Sequence, residues 1–170
     1  MPESFRLADY ADCLSGFLRA LDLAHPYVAG LSFGAVLALE LFRRHGEVPQ
    51  RLILASVCGL GGLVSFRHPR GALALEPGGV QAPAAEFVAA MLPSMFSKFA
   101  PVDRVAAFAA NVAEFDPAGF RLMAKASAEA DLRDVLAGID IPTLLLYGDQ
   151  DVRAPREVAE AIGRQFQDHD

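Results

Sequence analysis

The pentapeptide Gly30-Leu31-Ser32-Phe33-Gly34 stands between an apolar run and a helical pattern, with no spacer on either side. Tyr27-Val28-Ala29 reads as a short buried strand that ends at Gly30. A helix begins right after Ser32 and runs to about His45, with Val36, Leu37, Leu39, Leu41 and Phe42 apolar. So abrupt a turn forces the serine into a strained backbone conformation and brings strand and helix close together. Glycines two residues before and after it are expected to remove side chains that would clash. The strain lifts the Ser32 hydroxyl to the top of a sheet, and the helix N-terminus behind it favours developing negative charge. A serine that served only as a helix N-cap would need no second glycine.

The rest of the chain alternates in the same way. Leu7, Tyr10, Ala11, Leu14, Phe17, Leu18 and Leu21 form one apolar helical stripe, and His25-Pro26 is expected to break that helix. Arg51-Leu52-Ile53-Leu54-Ala55-Ser56 is a continuous apolar run, which predicts a strand covered on both faces. Residues 59–83 are rich in Gly and Pro and read as loop. From Ala84 to Leu136 the pattern is helical in several pieces. Phe87, Val88, Met91, Leu92, Met95 and Phe96 make one stripe, and Val102, Val105, Ala106, Ala109 and Val112 another. Asp116-Pro117 suits a helix start. Pro142 to Gly148 is a third strand, and Pro155 opens a last helix. Strands alternating with helices imply an α/β fold with a parallel sheet and right-handed crossovers. The helical insert follows a strand end, where such sheets carry their sites.

Composition excludes several functions. A net charge of −6 with scattered Lys and Arg argues against nucleic acid as a partner. No apolar run reaches the roughly 18 residues of a membrane span. The first residues, Met1 to Arg6, carry no basic region followed by an apolar one, so no signal peptide is expected. Two cysteines, Cys13 and Cys58, make no disulfide framework and are expected as buried thiols in a reducing, cytoplasmic compartment. Cys58 as a nucleophile would lack a base at any recognisable spacing. His25, His45, His68 and His169 form no ligand pair, so no metal is expected, and no cofactor.

The segment Val28-Ala29-Gly30-Leu31-Ser32-Phe33-Gly34-Ala35 and the helix after it resemble the α/β-hydrolase family, whose nucleophile elbow reads G-x-S-x-G. The resemblance resumes at Ile141 to Asp151, an apolar strand ending in Gly148-Asp149-Gln150-Asp151. It implies an α/β-hydrolase fold with a partial parallel sheet, flanked by helices and carrying a helical cap. Core would span 1–58 and 137–170, and the cap 59–136. It also implies Ser32 as nucleophile, the Phe33 backbone N–H as an oxyanion donor, and Asp151 as triad acid, with Asp149 competing for that role.

The triad's histidine is harder to place. His25 lies roughly 20 Å down the strand from Ser32, and His45 roughly as far along the helix. His169 follows the last helix, at the wrong sheet end. His68 alone could lie at the correct end, between Arg67 and Arg70. The family's histidine follows one further strand, and its first strands carry a loop supplying the second oxyanion donor; neither is found here. The expectation is a fragment of a serine hydrolase acting on esters or lactones of a small apolar substrate. The alternatives are a C–C bond hydrolase or an inactive relative. An unpaired edge at Tyr27–Gly30 is expected to favour self-association.

Overall fold

The structure, a computed structural model, describes residues 4–57, 60 and 92–166. Helix α1 (Leu7–Ala20) leads to strand β1 (Tyr27–Leu31), helix α2 (Phe33–Arg44) and strand β2 (Arg51–Ala55). After a 3-10 turn at Leu92–Ser94 come α3 (Val102–Ala113), α4 (Pro117–Glu129) and α5 (Arg133–Leu136), then β3 (Thr143–Leu146) and α6 (Arg156–Gly163). Among the described residues the sheet has three parallel strands in the order β1-β2-β3, with Leu31, Ala55 and Leu146 in register. The alternation expected from the sequence is present, and residues 59–83 and 84–91 lie outside the described set but for Leu60.

Each helix has a local cause. The Asp9 carboxylate accepts the Arg6 N–H at 2.7 Å, which closes the first turn of α1. The end of α1 is not made by His25-Pro26. The N–H of Leu23 reaches the Leu18 carbonyl at 3.0 Å, that of Asp22 reaches Arg19, and Asp22 stands at φ 56°. This is a left-handed cap in which Asp replaces the usual glycine.

The core lies on one side of the sheet. Val28, Leu52, Leu54 and Leu145 face α2, α5 and α6, where Leu39, Val135, Leu136 and Ile162 are buried. The other face does not match the expectation of strands covered on both sides. Tyr27, Leu31, Leu144 and Leu146, which the register places on that face, are between 55% and 67% exposed. β1 is also an edge strand among the described residues. Two further expectations need correction. Cys13 is exposed, because it falls off the Leu7, Ala11, Ser15, Leu18 stripe that packs inward. Phe17 and Leu21, assigned to that stripe, are mostly exposed. In the insert only Val112 of its α3 stripe is buried, and Val102 is 83% exposed. No described helix is long and apolar enough to cross a membrane.

Two polar clusters join the helices. Glu40 of α2 is buried, and its carboxylate pairs with Arg43, which also donates to the Asp131 carbonyl at 3.1 Å. A buried carboxylate is tolerable only while paired. Arg43→Met should lower stability by about 3 kcal/mol in chemical denaturation, and Glu40→Leu combined with it should recover most of the loss. On the surface, Asp12 of α1 accepts from Arg44 at 2.7 and 2.9 Å and lies 2.8 Å from Nε2 of His45. Arg44 foremost, then His45, hold the Asp12 carboxyl down from its usual 3.8 to about 2. The folded state therefore gains stability from this group above the usual value and loses it as pH falls toward 2. Between pH 5 and pH 2 the melting temperature of the native chain should drop more steeply than that of Asp12→Asn.

Candidate active site

Three chain segments meet at the C-terminal end of the sheet. The first is the β1–α2 junction. Ser32 is exposed and stands at φ 53° and ψ −114°, a region that residues other than glycine seldom occupy. Its N–H donates to the Ala55 carbonyl of β2 at 2.9 Å, and its own carbonyl accepts from Val36 at 3.2 Å, starting the helix. Strand pairing and helix hydrogen bonding thus fix the same residue from both sides. The N–H of Phe33 lies in the first turn of α2, before the first N–H with an intrahelical acceptor. The Phe33 ring meets Tyr10 of α1 edge-on at 5.7 Å, and Tyr10 meets Phe5 at 4.6 Å. That aromatic chain pins the elbow to α1; the sequence pointed to Tyr10 only as part of an apolar stripe.

The two glycines of the pentapeptide do different things. A Cβ on Gly30 would lie 2.2 Å from the Gly34 carbonyl oxygen and 2.5 Å from the Ala35 nitrogen, both rigid backbone. A Cβ on Gly34 would meet nothing within 4 Å. Among the described residues the expectation that both glycines relieve a clash therefore holds for Gly30 and not for Gly34, whose Cβ position meets no atom within 4 Å.

The second segment follows β3. Gly148 to Asp151 forms a turn closed by the Asp151 N–H to the Gly148 carbonyl at 3.3 Å. The Asp151 carboxylate is half-buried. Its Oδ1 accepts the N–H groups of Arg153 at 2.9 Å and Ala154 at 3.0 Å. Burial pushes this carboxyl up. The Ala154 N–H, the Ser56 hydroxyl, and the N–H and charge of Arg153 outweigh it and hold the carboxyl below its usual value. Asp149 is exposed. The turn therefore orders Asp151, and the competing carboxylate points to solvent.

The third segment is the end of β2, where Ser56 takes φ 46° and its N–H donates to the Leu146 carbonyl at 2.9 Å. Sequence reading placed Ser56 in a strand and gave it no role. Arg153 was missed as well; its guanidinium donates to the Ser94 hydroxyl at 3.2 Å.

Of the histidines, His25 is exposed and donates to the Glu47 carbonyl at 3.0 Å, at the opposite sheet end. His45 caps the far end of α2, about 18 Å of helix away from Ser32. His68, His169, Cys58, Phe87 and Met91 lie outside the described residues. Phe96 and Phe108 stack edge-on against each other at 5.3 Å, so they pack within the insert. No group of three metal-ligating side chains occurs among the described residues. A groove of about 420 Å³, lined by Arg43, Gly46, Asp134 and Asp140 among others, lies at the end of α2 away from Ser32.

Residues 2–169 match the profile of the Alpha/beta hydrolase family. The chain belongs to that family. Its fold is shared with solved α/β-hydrolases. A hydrolase from Pseudomonas aeruginosa PA01 is 25% identical with a TM-score of 0.81, over 98% of this chain and 63% of that one. An esterase from Thermogutta terrifontis is 24% identical, with a TM-score of 0.84, over 98% and 62%. The enol-lactonase from Burkholderia xenovorans LB400 is 22% identical, with a TM-score of 0.79, over 98% and 64%. This α/β-hydrolase chain thus spans less than two thirds of the length of these structures. No curated protein matches its sequence.

The elbow geometry sets a direct test. Gly30→Ala should cost about 3 kcal/mol or more, because the obstructing atoms are backbone. Gly34→Ala should be neutral or stabilising by up to about 1 kcal/mol through helix propensity. Thermal melts of the two variants separate these outcomes.

Proposed function

We propose that this chain is the nucleophile-bearing part of a serine hydrolase that cleaves carboxylic esters or lactones of a small apolar substrate. The observation that carries the reading is the Ser32 backbone at φ 53°, a strained conformation held between a strand end and a helix start. A purely structural cap would relax to an extended conformation. The esterase and enol-lactonase activities named for two structural relatives favour the same bond class.

In this reading Ser32 Oγ attacks the substrate carbonyl while an imidazole takes its proton. The Phe33 N–H stabilises the oxyanion. Asp151, already ionised, orients the imidazole and stabilises its charged form. The imidazolium then protonates the departing alcohol, and water releases the acyl group from Ser32 by the same path reversed. The helices between β2 and β3 are the cap over this site. No step needs a cofactor.

Neither described histidine, His25 nor His45, lies near Ser32, so the test supplies an imidazole. The 170-residue chain alone should turn over p-nitrophenyl acetate slowly. Added free imidazole should raise turnover at least about tenfold above the same mixture with Ser32→Ala. Equal rates for the native chain and Ser32→Ala would remove Ser32 from the chemistry. Fast turnover without imidazole that is lost in His68→Ala would assign the base to His68.

A further inference from the structure

Strand β1 pairs on one side only among the described residues. The Ser32 N–H donates to Ala55 of β2, and the Pro26 carbonyl accepts from Gln50 at the other end of the ladder. Backbone groups alternate in direction along a strand, so Val28 and Gly30, between those two, also turn their N–H and C=O groups toward β2. Those of Tyr27, Ala29 and Leu31 turn the other way, to an edge where no described strand pairs. The segment Tyr27–Leu31 carries no charge and no proline, the devices that commonly block such an edge.

The space beside this edge has a roof. Leu14 and Leu18 of α1 pack with Leu41 of α2 and Val28 of β1, so α1 lies next to α2 on the core side of the sheet. Asp12 marks the flank of α1 that meets α2, through Arg44 and His45. Phe17 and Leu21 stand between about 140° and 180° around the helix from Asp12. They point away from α2, over the side on which β1 has no described neighbour, and are 59% and 53% exposed. On the other sheet face Tyr27 and Leu31 flank the same edge, also exposed. The edge is therefore a slot, with outward-turned backbone groups along its wall and apolar side chains above and below.

An extended chain fits that slot. Its backbone continues the ladder, and its side chains alternate between Phe17 and Leu21 on one face and Tyr27 and Leu31 on the other. A second copy fits poorly. Paired strands lie about 4.8 Å apart, whereas packed helices need about 8–10 Å, so two copies joined edge to edge would crowd both α1 helices over one junction. The solved relatives are longer chains, of which this one matches between 62% and 64%. More than a third of each lies in segments with no counterpart here.

We infer that the β1 edge beneath α1 is an acceptor site for one extended strand, apolar on both faces, contributed by hydrolase-fold segments outside these 170 residues. The inference does not depend on the catalytic reading of Ser32 or Asp151.

Hydrogen exchange of the full chain, read residue by residue by NMR, tests the slot. In the native chain the amides of Tyr27, Ala29 and Leu31 should exchange at least about tenfold faster than those of Val28 and Gly30. A blocked peptide of about five valine and isoleucine residues, with lysines at one end for solubility, stands in for the strand. At about 1 mM it should slow the three outward amides at least about tenfold and leave Val28 and Gly30 unchanged. Ala29→Pro removes one outward N–H and spares the β2 ladder, so it should keep the native circular dichroism and lose the protection. Should that variant unfold, the same peptide methylated on every backbone nitrogen still decides, because it cannot pair with the edge and should protect nothing. Outward amides that already exchange slowly in a monomeric native chain would mean that the edge is covered, and would overturn the inference. Failure of the peptide to protect them overturns it too, as does equal protection by the methylated peptide. Protection that rises with chain concentration alone, with a dimer mass in light scattering, would give the edge to a second copy instead.

Discussion

The approach of β1 to the first turn of α2 governs the arrangement around it. Gly30 and Gly34 come so close that no atom fits where a Cβ on Gly30 would stand. That contact brings the helix directly behind the strand end. It leaves Ser32 no extended conformation, and it aims the first N–H groups of α2 at the space in front of the serine. The hydrogen bonds of Ser32 to Ala55 and of Val36 to Ser32 then tie the turn to β2 and to the helix. Strain of this kind persists only where neighbours over-determine the backbone. Here a strand, a helix and the Phe5–Tyr10–Phe33 ring contacts all do so.

The sheet is covered unevenly, and the two sides have different physical characters. Behind it, Leu39, Leu52, Leu54 and Leu136 are fully buried and make a close-packed core. On the other face, Tyr27, Leu31, Leu144 and Leu146 remain in contact with water. Apolar surface left in water forgoes about 25 cal/mol for each Å² that burial would remove. The site is built from the ends of the strands, so it depends on the packed side and on the ladder hydrogen bonds, and not on the open face.

The elements that could be read from the sequence are those whose signal is local. The Tyr27–His45 segment declared its strand, turn and helix through apolar periodicity and a glycine pair. The turn holding Asp151 was legible because an apolar strand, β3, ended in Gly148-Asp149-Gln150-Asp151. The preference over Asp149 has a physical counterpart in the N–H groups of Arg153 and Ala154. What escaped was set by partners distant in sequence. The Arg153 guanidinium bond to Ser94 spans much of the insert, and no local pattern in the sequence marks it. The end of α1 was misattributed to His25-Pro26 because an aspartate in a left-handed cap has no strong sequence signature. The burial of both sheet faces was inferred from continuous apolar strands, and such runs report what a face would suit rather than what covers it. The role given to Gly34 failed for a similar reason: the pentapeptide pattern does not say which glycine faces backbone and which faces space.

Arg153 belongs to two parts of the molecule at once. Its backbone N–H holds the Asp151 carboxylate, and its guanidinium holds the Ser94 hydroxyl in the 3-10 turn that leads into α3. The helical insert and the Gly148–Asp151 turn therefore share one residue as a link. Lifting Leu92–Ser94 away from the sheet must either break that hydrogen bond or drag the arginine. In the second case the pull reaches the carboxylate through a single residue's backbone.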